Sequence, residues 1–249
     1  MSPDPAPRSR YAFAAAFLAC FVLAELVYSQ LDPAAQARLV AWASTNVANL
    51  EHEPVLPLLV SAFVAPGYFA AWPVLIALAL FGANRALGNA RTALVCLAGQ
   101  VIGSLVSEGI VAYRVDAGQL SAASRHLSDV GPSYVVVSAI VVALALRRQP
   151  PDHAPRRQPL HQQRGDWLAR ALAAVDLVIL VFPGDIFGGL SQLDVAAVGH
   201  LTALLTAAAA AVLILRRRRN LPSSGAGAEP SLPAGISPHP RPGEDQAAT

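Results

Sequence analysis

Charge is what this chain has least of: Asp, Glu, Lys and Arg make up 14% of its 249 residues, against about a quarter in ordinary soluble domains. Lysine is missing altogether. All 18 positive residues are arginines, and Ala-rich runs such as 207–211 mark a compositional bias that carries no chemistry. A formal net charge of +2 excludes the basic footprint of a nucleic-acid-binding protein. The two cysteines, Cys20 and Cys96, sit inside apolar runs and read as small hydrophobic side chains rather than a disulfide or metal ligands. There is no CxxC, no HExxH, no histidine-rich cluster and no glycine-rich phosphate cradle, so neither a metal nor a cofactor is expected. What is present is apolar: 54% of the residues are hydrophobic and the mean hydropathy is +0.46, the composition of a multi-spanning membrane protein.

Six runs are read as membrane-crossing helices: 11–28, 68–82, 92–113, 133–146, 167–183 and 195–215. The first follows Arg8 and Arg10; without a small-x-small cleavage site it reads as an uncleaved helix rather than a signal peptide. The stretch 55–65, broken by prolines, is expected to be apolar loop structure embedded at the outer surface. At a rise of ~1.5 Å per residue the fourth run reaches only about 21 Å, so it must start inside the membrane. Residues 114–128 form a polar loop, and 147–166, rich in Arg, Pro, Gln and His, a polar linker.

Arginines cluster on alternate loops: Arg8 and Arg10, Arg85 and Arg91, the linker, and Arg216 to Arg219. By the positive-inside rule these are cytoplasmic, so the chain is expected to be multi-pass in the plasma membrane with both termini on the cytoplasmic side. The domain organisation is then a cytoplasmic tail over 1–10, a six-helix all-α membrane domain over 11–215, and a disordered cytoplasmic tail over 216–249. No repeat of 20 to 50 residues and no inverted halves are visible, which counts against a transporter.

Two polar residues stand out by depth. Ser133 precedes Arg147 by 14 residues and His200 precedes Arg216 by 16, so they stand about 21 and 24 Å above the cytoplasmic boundary. A serine needs a base to take its proton as it attacks a carbonyl, and neutral imidazole is the usual one. At a helix N-terminus Ser133 would also have unpaired N–H groups and the positive dipole end close to a developing oxyanion. Gly131 and Pro132 suit a tight turn into that helix. Serine is equally a favoured N-cap, and an intramembrane histidine can simply hydrogen-bond a neighbouring helix, so both structural roles stay open.

Three acids fall within or near the spans. Glu25 is expected to reach the interface, Glu108 to pair with Arg114 or face the interface, and Asp176 to lie mid-helix without an assignable partner. Trp42, Trp72 and Trp167 are expected to anchor at interfaces or pack. A channel or transporter using Asp176, Glu108 and His200 is a further, weaker reading.

Over 11–215 this arrangement resembles the rhomboid family of intramembrane serine proteases, whose six-helix core carries a serine in a GxSG motif at the start of helix 4 and a histidine on helix 6. Trp42-Ala-Ser-Thr-Asn46, Asn49-Leu50, Leu58-Leu-Val-Ser-Ala-Phe63, Asp129-Val-Gly-Pro-Ser-Tyr134 and Gly199-His200 are similar to rhomboid-like membrane proteins of actinobacteria. The resemblance implies a rhomboid-like bundle with a membrane-embedded first outer loop. It also implies Ser133 as nucleophile, His200 as general base, and Gly131, Tyr134 and Gly199 as motif positions supporting the oxyanion. The function implied is cleavage of a transmembrane protein substrate within the bilayer; the alternative is a catalytically inactive rhomboid-like protein that binds membrane proteins or lipids as clients. Departures favour the alternative. Tyr134 replaces a motif glycine, Ala203 and Ala207 stand where glycines are expected after His200, and Ala70 and Val74 occupy the helix-2 positions of two oxyanion donors, where neither can donate from its side chain.

Overall fold

The computed structural model describes residues 11–67, 71–146, 160–181 and 185–220. Within them the regular elements are helical: α1 (Ala12–Ser29), α2 (Pro33–Ala43), α3 (Val47–His52), α4 (Val55–Val60), α5 (Ala71–Leu87), α6 (Asn89–Asp116), α7 (Ser133–Ala145), α8 (Leu160–Val181) and α9 (Val195–Asn220). Three are long and apolar enough to cross a membrane, Ala12–Ser29, Asn89–Asp116 and Val195–Arg218, and α5 and α7 are shorter apolar helices. The expected tail 1–10 and all but the first residues of 216–249 lie outside the described residues.

α7 is the central element. Nine of its 13 residues are buried, including the run from Tyr134 to Ile140, and it packs against α5, α6, α8 and α9. A helix apolar on every side is what a position surrounded by other helices requires. Packing inside a bilayer gains little from apolar burial as such, so close approach through small side chains carries much of it. Ala203, Ala207 and Ala211, spaced four apart, are buried on α9. On α6, a Cβ at Gly99 would overlap the hydroxyl of Ser138.

At one end of the bundle α1, α5 and α6 are tied together. Gly88, at φ +78°, turns the chain between α5 and α6, the Asn84 amide donates to Asn89 Oδ1 at 2.7 Å, and the Phe13 N–H donates to the same oxygen at 3.2 Å. α8 begins earlier than its composition suggests. Its first two turns fall in the expected linker, and Asp166 there accepts from Arg85 Nε on α5 at 2.7 Å. Only 147–159 of that linker lies outside the described residues.

At the other end lies the region between α1 and α5. Asp32 caps α2 by accepting from the Ala35 N–H, and Asn46 caps α3 through Asn49 N–H at 2.9 Å. The stretch expected as apolar loop is instead α4 followed by a 3-10 turn, Ser61–Phe63. Pro54 and Pro57 sit in the opening turns of α4, where a missing N–H costs least.

The acids also differ from expectation. Glu25 does not reach the interface: it is 2% exposed, and its Oε1 accepts from the Ala65 N–H at 2.8 Å. A peptide N–H after the 3-10 turn has no helical partner, so a carboxylate from α1 supplies one. Glu108 forms no pair with Arg114, whose Nη1 donates to the Gln192 carbonyl. Asp176 is fully buried and neither carboxylate oxygen finds a partner.

Removing the Glu25 acceptor should therefore loosen the chain ahead of α5. Glu25→Ala is expected to cost about 1–3 kcal/mol through the orphaned Ala65 donor, while Glu25→Gln, which keeps an acceptor oxygen, costs much less. Thermal unfolding of the two purified variants in detergent checks the ranking.

Candidate active site around Ser133 and His200

The start of α7 is held by backbone. Gly131 has φ +131°, a conformation that side-chain-bearing residues rarely adopt, and its N–H donates to the Ser61 carbonyl at 2.8 Å. That N–H is therefore already committed, and Gly131 serves the turn rather than an oxyanion. Pro132 occupies the N-cap position, Ser133 is the first helical residue, and no side chain caps the helix. The capping role left open for Ser133 is thus not taken up. Ser133 is half-buried beside the free N–H groups of a first turn.

Asp129, four residues upstream, fixes this turn to the segment between α2 and α3. Its N–H donates to Ser44 Oγ at 2.8 Å, its carbonyl accepts from the Thr45 N–H at 3.0 Å, and its Oδ2 accepts from Thr45 Oγ1 at 2.9 Å. The same Oδ2 accepts from the Tyr134 hydroxyl at 3.1 Å. Asn49 Nδ2 braces the segment further, donating to the carbonyls of Ala41 and Ser44, both at 2.8 Å. Burial pushes the Asp129 carboxyl above the usual aspartate range, against the lowering effect of its hydrogen bonds to Thr45 and Tyr134.

Tyr134 lies between α6 and α9. A Cβ on Gly199 would overlap its phenol, and one on Gly103 would stand 3.2 Å from both its Cδ2 and the Gly199 carbonyl. The space lost where Tyr134 replaces a glycine is recovered by glycines on the two neighbouring helices. Its ring meets the His200 imidazole edge-on, with centroids 5.1 Å apart and planes at 79°.

His200 is 5% exposed. Its Nδ1 lies 2.7 Å from the Ile186 carbonyl; a carbonyl only accepts, so Nδ1 carries the proton and Nε2 presents its lone pair. Nε2 is buried and without a hydrogen-bond partner. It follows that Ser133 and His200 are not hydrogen-bonded to each other, although Tyr134, the residue after Ser133, touches the imidazole. The helix-2 position Val74 is 57% exposed, and Ala70 lies outside the described residues.

Ser44, Thr45 and Asp129 stood in the sequence only as members of the motifs that carry the resemblance, with no role assigned, and Gly103 and the Ile186 carbonyl were not singled out at all. Ser44-Thr45-Asn46 is three polar residues between apolar stretches, but nothing local marked Asp129 as the partner of Thr45, 84 residues away.

Two outcomes follow. Gly199→Ala should destabilise by about 1–3 kcal/mol through overpacking against Tyr134, and Tyr134→Ala in the same chain should remove most of that penalty, a coupling read by a double-mutant thermal cycle. Because the folded pKa of Asp129 is raised, its contribution to stability is full below the unfolded value of 3.8 and is lost as pH rises through the raised value. Relative to Asp129→Asn, wild type should lose stability as pH rises above 3.8, measurable as melting temperatures that diverge with increasing pH.

No curated protein and no solved structure matches the chain. A family profile described as rhomboid-like protein matches residues 10–154, spanning α1 to α7 with Gly131, Ser133 and Tyr134 and ending before His200. With its apolar helices, this makes the protein a helical membrane protein embedded in a lipid bilayer. The chain belongs to the family of rhomboid-like proteins.

Proposed function

We propose that this protein is an intramembrane serine peptidase using Ser133 and His200. The observation that carries the reading is the state of His200: a backbone carbonyl fixes its tautomer and leaves Nε2 buried and unpaired. A histidine kept only for packing would be expected to have both nitrogens satisfied or solvated. In this reading α1, α5, α6, α7, α8 and α9 all cross the plasma membrane, with 1–10 and 216–249 as cytoplasmic tails flanking the domain 11–215.

As Ser133 Oγ bonds to the scissile carbonyl carbon of a substrate's transmembrane segment, its proton passes to His200 Nε2. The first-turn N–H groups of α7, left uncapped, receive the developing oxyanion. The C–N bond then breaks as the imidazolium returns the proton to the leaving amine. Water, deprotonated by the same nitrogen, releases the acyl group and restores the serine. Gln100 and Ser104 on α6 and Ser138 on α7 each leave a buried polar atom without a protein partner; such atoms suit a water path, which hydrolysis at this depth requires. In unliganded enzymes the nucleophile–base hydrogen bond is often long and tightens on substrate binding.

The second reading is a non-cleaving rhomboid-like protein that holds membrane proteins or lipids. It is favoured by the missing Ser133–His200 hydrogen bond and by the lack of helix-2 donors, since the loss of one oxyanion donor slows acyl transfer by about 10² to 10³.

Fluorophosphonate labelling of purified protein in lipid separates the two. The peptidase reading expects labelling of wild type that disappears in both Ser133→Ala and His200→Ala while the proteins stay folded. No labelling of folded wild type, or labelling that survives Ser133→Ala, rejects it in favour of the binder.

A further inference from the structure

Residues 185–194, which lead into α9, form a chain of tight turns. The Gly188 N–H donates to the Asp185 carbonyl at 2.8 Å, the Gln192 N–H to the Gly189 carbonyl at 2.9 Å, and the Asp194 N–H to that same carbonyl at 3.1 Å. Asp185 at φ +45° and Leu193 at φ +56° stand near the two ends of this strap, and they are the non-glycine residues with positive φ among those described. A side-chain-bearing residue is held in that region only where its surroundings dictate it, and such strain gathers at functional sites. What the strap delivers lies next to Asp185: the Ile186 carbonyl, 2.7 Å from His200 Nδ1.

These internal bonds shape the strap but do not attach it to the bundle. Near its start the attachment is apolar, with Ile186 buried and Phe187 packed against the core. Towards its other end it is polar: Arg114, in the last turn of α6, donates through Nη1 to the Gln192 carbonyl at 2.9 Å. Gln192 closes the 3-10 turn Leu190–Gln192, and the last carbonyls of a helical turn have no partner within it. A guanidinium meets that need with a charge-assisted hydrogen bond, stronger than one from a neutral donor. The acids on the same helix do not compete for it, because Asp116 accepts from Arg125 at 2.7 Å and the Glu108 oxygens are buried away from it.

We propose that Arg114 is a positioning residue for His200, acting through the strap. By clasping Gln192 it keeps the Ile186 carbonyl on Nδ1, and so keeps the proton on Nδ1 and the lone pair on Nε2. An imidazole released from that carbonyl is free to carry its proton on Nε2, and in that form Nε2 has no lone pair to offer a serine. The catalytic consequence rests on the Ser133–His200 reading; the effect on the tautomer does not.

The test is nitrogen NMR of the full chain, isotope-labelled at histidine, in lipid nanodiscs at a pH where the imidazole is neutral, with the His200 signals assigned by their loss in His200→Ala. Wild type is expected to hold the Nδ1–H tautomer. Arg114→Met keeps the aliphatic stem and removes the donors, and is expected to lower the ratio of Nδ1–H to Nε2–H by about fivefold, the worth of one hydrogen bond. A merely structural role would lower the melting temperature and leave the tautomer alone. Gly189→Ala disturbs the strap from within, since Gly189 has φ +79° and an added Cβ would stand 2.8 Å from Asp194 Cβ; it is expected to shift the ratio the same way, and it decides the matter if Arg114→Met fails to fold. An Nε2–H tautomer in wild type, or an unchanged ratio in the folded variant that decides, overturns the proposal. Fluorophosphonate labelling of Arg114→Met is expected to slow in step with the ratio, whereas a wild type that is never labelled removes the peptidase reading and leaves the tautomer result standing.

Discussion

Asp129 joins two parts of the chain that are far apart in sequence, the segment at Ser44 and Thr45 and the turn into α7, and the candidate site depends on that junction. Its amide, its carbonyl and one carboxylate oxygen are all engaged, by Ser44, by Thr45 and by Tyr134. Near a bilayer each of these groups would be expensive to leave unpaired, so they act together to permit one arrangement of the turn before α7. Gly131, bonded to the Ser61 carbonyl, supplies a second point of attachment. With its start fixed at two points, α7 presents Ser133 at a set depth and Tyr134 against α9. The imidazole of His200 is then held from the opposite side by the Ile186 carbonyl. The orientation of the imidazole thus rests on the Ile186 carbonyl and on Tyr134, which Asp129 holds, not on a hydrogen bond with the serine.

The same junction accounts for the distribution of small residues. A tyrosine at position 134 needs room that a glycine would not, and Gly103 and Gly199 provide it from α6 and α9. One turn along, Gly99 receives Ser138 in the same manner. The substitution that first counts against the motif is compensated by its neighbours, and it brings a ring edge to the imidazole. Tyr134 touches the imidazole with its ring and holds the turn by its hydrogen bond to Asp129, two contacts a glycine could not make.

Helix positions were legible in the sequence because a helix surrounded by apolar neighbours or lipid shows as an apolar run; α1, α6, α7 and α9 begin or end within a few residues of where composition puts them. α8 was less legible: residues 160–166 are polar, and what draws them into a helix beside α5 includes an ion pair to Arg85, 81 residues away. Ser133 and His200 were singled out by their position along their helices, since rise per residue converts position into height, and by the motifs around them. The partners that define their environment were not. Glu25 binds an amide 40 residues on and Asp129 a hydroxyl 84 residues back, and neither separation leaves a periodic trace. Depth specifies height but not azimuth, which is why Tyr134 rather than Ser133 was found against the imidazole.

Local choices in this chain mostly agree with the fold. Asp32 and Asn46 cap their helices with side chains, and Arg85 meets Asp166. At α7 they do not. A capping residue before Ser133 would satisfy orphan amides and contribute about 1 kcal/mol, yet Pro132 stands there and the N-terminus stays open. Likewise, an apolar side chain in place of His200 would avoid burying a nitrogen without a partner, at a cost of about 1–3 kcal/mol. These two departures lie on adjoining helices and are bridged by one tyrosine. Places where a sequence breaks local rules without structural gain are where function is expected, and here both broken rules leave open what acyl transfer uses: amide donors for an oxyanion, and a lone pair for a proton.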